Sequence, residues 1–402
     1  MKHTDDLLVV SDDEFDQVLD RRGGDSTKWN KYEGRDILPL WVADMDFRSP
    51  AEIIEALRHR VDHGIFGYSD IPESLVEAIV QHLFTRYGWS IRKDWISWVA
   101  SVLPGVNIAA RTTGSEDDPL IIPIPAYHPF LNVPGHAHRE YVPLRLVKNR
   151  DRWEMDLDEL DQTLARTNAT MVLLCNPHNP TGCVYSRSEL EAFADIVLKH
   201  GAFICSDEIH CDLLIQPELT HIPIASLAPD VANSTITLMS PGKTFNMPGL
   251  NFGFAVISNP TLRRSFRENR LGMQPVCSPL SMAAAEAGYS HGQAWLKRLL
   301  TYLRGNAHIV LQKMRSLEVP MTPVEATFLA WLDIREFELK KPVQYFERYG
   351  IGLHDGRDFG DEGFVRLNFG CSRSTLSLAL ERFEEAVNAI RQEPRSHHRL
   401  ES

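Results

Sequence analysis

The sequence predicts an α/β fold, with a mostly parallel central sheet covered by helices on both faces and joined to a smaller α+β domain. Three observations predict it. The apolar runs "PLIIPI", "TMVLLC", "AFIC", "STITLM" and "FGFAVI" are continuous rather than alternating, as strands buried on both faces must be. They end in Gly, Pro, Asn or Asp and interleave with longer amphipathic stretches. After about residue 290 the pattern turns to long helical stretches with two short strands, "TFLAWLDI" and "GFVRLNF", and closes on an amphipathic helix.

Between "TMVLLC" and "AFIC", the segment "SRSELEAFADIVLKHG" spaces Leu190, Phe193, Ala194 and Val197 so that they form one helical face. Ser188 with Glu191 is read as a capping box, and Gly201 as the stop. A chain of 402 residues exceeds the usual single domain. We expect a large domain over 48–290, and a smaller one built from 1–47 together with 291–402. In open α/β sheets ligands sit beyond the carboxyl ends of the strands. The polar motifs "PAYHPF", "NPHNPTG", "SDEIHCD" and "SPGKTFN" all follow apolar runs directly.

The net charge of −12 disfavours nucleic acid and anionic lipid as partners. The start, "MKHTDDLLVVSDDEFDQ", lacks the basic-then-apolar layout of a secretory signal, and no apolar stretch approaches the roughly 20 residues that span a bilayer. A cytoplasmic protein is the expectation. The six cysteines form no CxxC pair, and Cys205 follows Phe203 and Ile204 in a run that favours a buried thiol. No metal is expected, because the histidines and cysteines show no ligand spacing; "HHR" near the C-terminus reads as a solvated tail.

"SPGKTFN" contains Gly242-Lys243-Thr244, the tail of a nucleotide-binding P-loop. That loop needs a glycine five residues before Gly242, where this chain has Thr237, so the P-loop reading fails. Lys243 is then a solvated lysine, a phosphate-holding cation or a carbonyl-condensing amine. Asp207 ends a buried strand, where an unpaired carboxylate is costly and calls for a cationic partner. A protonated pyridine nitrogen is such a partner, and the acid keeps a pyridoxal phosphate ring an effective electron sink. Asn179 and His210 lie in strand-end loops within reach of the ring's phenolic oxygen, Tyr127 within reach of its face. Ser240 and the amides after Ser101 suit its phosphate, since the helix "LPGVNIAAR" begins there. Each residue also has a plain reading: Asn179 as a turn residue, Asp207 as a helix cap, His210 and Tyr127 as packing groups. What counts is their fixed order at strand ends.

The chain resembles the fold-type I pyridoxal-phosphate enzymes of the class I/II aminotransferase superfamily. More narrowly, it resembles their cystathionine β-lyase (C–S lyase) branch, the MalY/PatB family. The resemblance rests on "KWNKYEGRDILPLWVADMDF", "HGIFGYSD", "CNPHNPTG", "SDEIHCDL", "SPGKTFNMPGL" and "VRLNFGCSRSTL", which span residues 28 to 376. It implies that Lys243 carries the cofactor as a Schiff base, that Asp207 pairs with the ring nitrogen, and that Asn179 and His210 bond the phenolic oxygen. Tyr127 stacks on the ring, while Ser240, Val102 and Leu103 contact the phosphate. It further implies a homodimer in which Tyr68 reaches the neighbouring site, and Arg366 as the clamp on the α-carboxylate of an amino-acid substrate, a sulfur-containing one above all.

Two positions depart from the common patterns. Ser101 stands where the branch more often has glycine, and Asn251 where aminotransferases commonly carry a phosphate-binding arginine. The implied reaction is α,β-elimination from cystathionine, cystine or a cysteine S-conjugate, giving a thiol, pyruvate and ammonia. The alternatives are an aminotransferase, a β- or γ-replacement enzyme, and a regulatory binding protein on the same scaffold.

Overall fold

The computed structural model describes residues 13–273 and 277–392. Its main sheet has seven strands: β1 (Ile96–Val99), β2 (Leu120–Ile124), β3 (Tyr141–Arg145), β4 (Met171–Cys175), β5 (Phe203–Asp207), β6 (Thr235–Met239) and β7 (Gly253–Val256). Their spatial order is β1-β7-β6-β5-β4-β2-β3. Strand β7 runs antiparallel to both neighbours; the remaining pairings are parallel. The continuous runs behave as expected, since every residue of β2, β4, β6 and β7 is buried. Two strands lie outside those runs. Edge strand β3 alternates exposed and buried residues, as a strand with one wet face does, and β1 carries Ser97 and Trp98 in its middle.

The helix Arg187–Lys199 crosses from β4 to β5 and buries Leu190, Phe193, Ala194 and Val197, the expected face. Its capping box differs from the expectation: Ser186 and Glu189 form it, not Ser188 and Glu191. Ser186 Oγ accepts from the Glu189 amide at 3.3 Å, and Glu189 Oε2 accepts from the Ser186 amide at 2.7 Å. Arg152 Nη1 holds Glu189 at 2.6 Å, whereas among the described residues Glu191 pairs only with exposed Arg187, so tertiary contact favours the earlier start. Gly201, at φ +69°, does end the helix.

Beyond the main sheet, helices Gln293–Ser316 and Arg373–Gln392 accompany a three-stranded antiparallel sheet of Leu329–Asp333, Phe364–Asn368 and His354–Asp355. Leu38–Pro39 pairs in parallel with Ile351–Gly352, which binds the early chain to this C-terminal part. All six cysteines are free and buried, and among the described residues no helix is long and apolar enough to cross a membrane. The "HHR" tail lies outside the described residues.

Buried Lys28 anchors the segment "WVADMDF". Its Nζ donates to Asp46 Oδ2 at 2.8 Å and to the Asp44 carbonyl at 3.1 Å. Burial works against the Asp46 carboxylate, but Lys28, Trp29 and Arg21 together hold its pKa below the ordinary value. Removing one partner of a buried pair leaves the other charge uncompensated. Lys28→Ala is therefore expected to cost about 3 kcal/mol of stability, read as a lowered denaturant midpoint; an unchanged midpoint would refute the assignment.

Candidate active site

A cavity of about 890 Å³ opens at the carboxyl ends of the parallel strands. Lining it are Ser101, Val102 and Leu103 after β1, Tyr127 after β2, Asn179 after β4, Asp207 and His210 at the end of β5, and Ser240 and Lys243 after β6. Arg366 reaches it from the middle of the three-stranded sheet. The structure thus brings together every residue singled out above except Tyr68, which is fully exposed and outside the cavity.

Asp207 is buried, and burial pushes its pKa up to about 6 even though Ile209 N–H and the Cys175 thiol donate to it. Both donors are neutral, so the carboxylate keeps its need for a cation on the cavity side. Lys243 is held by a hydrogen bond from Nζ to the Ala43 carbonyl. Burial draws its pKa down to about 8, with Asp44 and Asp207 opposing and Arg366 assisting. An uncharged amine is the nucleophile toward an aldehyde, so the fraction able to react grows as pH rises through about 8. Uptake of pyridoxal phosphate by the cofactor-free protein, followed by visible absorbance, should accelerate up to that pH and then level. A rate still climbing toward the ordinary lysine value of 10.5 would overturn this.

His210 is buried and its Nδ1 has no partner; burial, then the charges of Lys243 and Arg366, keep its pKa well below the usual value. A neutral imidazole with an unmet nitrogen suits a polar ring substituent. Arg366 is also buried. Its Nη1 donates to Asn179 Oδ1 at 2.8 Å and Nη2 to the Trp41 carbonyl at 2.9 Å, while Nε has no partner. Burial lowers its pKa to about 9, and no carboxylate pairs with it among the described residues. A buried guanidinium without an anion is a seat for one.

The helix Val102–Thr112 starts at the cavity, and its N-cap Ser101 makes no side-chain capping bond. The first amides, of Val102 and Leu103, therefore lack a side-chain acceptor and suit a phosphate. Ser240 is more committed: its hydroxyl donates to the Phe252 carbonyl at 2.6 Å and accepts from the Gly242 amide at 3.0 Å. These features, an amine, a buried carboxylate, two unmet buried nitrogens and an anion seat, fit the pyridoxal phosphate group.

Sequence reasoning does not single out Asp44, His128, Asn246 and His354, which line the same cavity. The signal for two of them is present in "WVADMDF" and "KTFN". Asn246, at φ +51°, joins those motifs by donating to the Met45 and Phe47 carbonyls and accepting from the Met45 amide.

Residues 35–383 match the family described as aminotransferase class I and II. The chain belongs to that family. Within it, the chain is 34% identical to the cystathionine beta-lyase PatB of Bacillus subtilis (strain 168), over 93% of this chain and all of that protein. Among solved structures, OvoB is 43% identical with a TM-score of 0.91, covering 93% of this chain and 99% of its own. Cystalysin from Treponema denticola, whose structure contains pyridoxal 5'-phosphate, is 30% identical with a TM-score of 0.90, over 94% and 99%. The family's mostly parallel sheet and helical layers are those described above.

Proposed function

We propose that this protein is a pyridoxal-phosphate-dependent C–S β-lyase that cleaves cystathionine or a related cysteine S-conjugate. The observation that carries the reading is the convergence on one cavity of Lys243, Asp207 and a guanidinium, Arg366, that has no anion. Lys243 would hold the cofactor, Asp207 its ring nitrogen, Asn179 and His210 its phenolic oxygen, Tyr127 its face, and Val102, Leu103 and Ser240 its phosphate. Asn179 can serve because Arg366 occupies its Oδ1 and leaves its amide N–H groups to donate.

The bound cofactor supplies a sink for the electron pair left when a proton leaves Cα. Arg366 receives the α-carboxylate at its unpartnered Nε and so sets the orientation of Cα. Lys243 Nζ, freed once the substrate's amino group takes its place on the cofactor and with its pKa drawn down to about 8 by burial, would take the Cα proton. The Cβ–S bond then breaks, the thiolate departs, and released aminoacrylate hydrolyses to pyruvate and ammonia. Elimination is favoured over amino transfer by the name PatB carries, cystathionine beta-lyase, and by Asn251 standing at the cavity where aminotransferases commonly have arginine. The test is L-cystathionine with no keto acid present. Equal amounts of pyruvate and free thiol are expected; amino transfer only on adding a keto acid would make the protein an aminotransferase.

The same proposal includes a division into 48–290 and 1–47 with 291–402, supported by the pairing of Leu38–Pro39 with Ile351–Gly352. It also includes a cytoplasmic location, with six free buried thiols suited to a reducing compartment. A homodimer is inferred from Tyr68, exposed beside Ile65 and Phe66, as a group that would reach the other chain's site. Mixing inactive Tyr68→Ala and Lys243→Ala chains should then restore about a quarter of parental activity, because one site of each mixed dimer is intact. No recovery would mean that the sites are not shared.

A further inference from the structure

Arg366 is held by more than Asn179. Its Nη2 lies 3.2 Å from His354 Nδ1, and the two residues face each other in the antiparallel ladder. A guanidinium only donates, so this contact requires a lone pair on Nδ1. A neutral imidazole carries one ring proton, which then sits on the other nitrogen, Nε2, 3.2 Å from Asp358 Oδ2. Burial, followed by the charges of Arg366 and His128, pushes the His354 pKa down to about 3, which keeps Nδ1 an acceptor. The Phe359 ring closes on the pair, 4.7 Å from the imidazole centroid and 4.6 Å from the guanidinium carbon.

We propose that His354, accepting from Arg366 through Nδ1, is a positioning residue that sets the rotation of the Arg366 guanidinium and so the site's preference for an α-carboxylate. With Nη1 on Asn179 and Nη2 on Trp41 and His354, the unpartnered Nε is left for the incoming anion. Second-layer acceptors of this kind hold a contacting group in its productive orientation. The inference rests on the reading of Arg366 as the carboxylate clamp.

The test compares calorimetric Kd values of the holoenzyme for L-methionine and 3-(methylthio)propylamine, which differ by the carboxylate; neither has a leaving group at Cβ. The matched variants are His354→Asn, which keeps an acceptor, and His354→Leu, of similar size without one. The parent should prefer methionine. His354→Leu should reduce that preference about tenfold or more, and His354→Asn should keep it within about threefold. For cystathionine turnover, the loss in His354→Leu should appear in KM rather than kcat. Should His354→Leu fail to fold, His354→Phe, a ring without an acceptor, must lower the same preference while the melting temperature holds. A parent preference retained in His354→Leu, or lost equally in His354→Asn, overturns the inference alone. A parent with no preference overturns the reading of Arg366 and this inference with it.

Discussion

Lys243→Ala is expected to lower the turnover of cystathionine by at least about 1,000-fold, because one side chain serves both as attachment point and as base. The two roles separate experimentally. The visible absorption of the purified protein should vanish, reporting lost attachment. Adding a small primary amine should restore part of the turnover without restoring attachment, reporting the proton transfer. The fold should survive, since among the described residues Nζ makes a single hydrogen bond, to the Ala43 carbonyl, and its charge is disfavoured by burial. A Lys243→Ala protein that keeps both colour and turnover would remove the basis of the functional proposal.

Arg366→Lys is expected to raise KM for cystathionine about 100-fold, corresponding to about 3 kcal/mol for charge-assisted hydrogen bonds. Lysine keeps the charge but loses the planar fork, and it cannot reach Asn179, Trp41 and His354 together. The effect should fall on KM more than on kcat, because the carboxylate contact exists in the bound ground state as well as in the transition state. Steady-state kinetics on the parent and this variant decide it. A KM within about twofold of the parent would show that the carboxylate binds elsewhere.

Some of the candidate site is legible in the chain because strand ends are written locally. Asp207 closes a buried apolar run, and Asn179, His210, Tyr127, Ser240 and Lys243 each follow one within a few residues, so topology alone carries them to one edge of the sheet. Tyr68 belongs to no such edge, and its role would depend on a second chain. The shifted capping box at Ser186 and Glu189 shows the limit of local reading, since Arg152, distant in sequence, selects between two equally spaced pairs. Ser240 shows it again: the residue lies where a phosphate ligand should be, yet its proton goes to the Phe252 carbonyl.

The amino-acid order by itself determined the α/β class, the set of strand-end groups and the amine and carboxylate that face the cavity, because periodicity over about ten residues decides which segments become buried strands. Only the tertiary structure decided that β7 is reversed and that Arg366 meets Asn179, 187 residues away in the chain. It also decided that Asp44 and Ala43 lie against Lys243, and that His354 backs the guanidinium. The reason is physical. These contacts are fixed by the packing of one sheet against another and by competition among buried donors and acceptors for partners, and neither leaves a trace in the spacing of neighbouring residues.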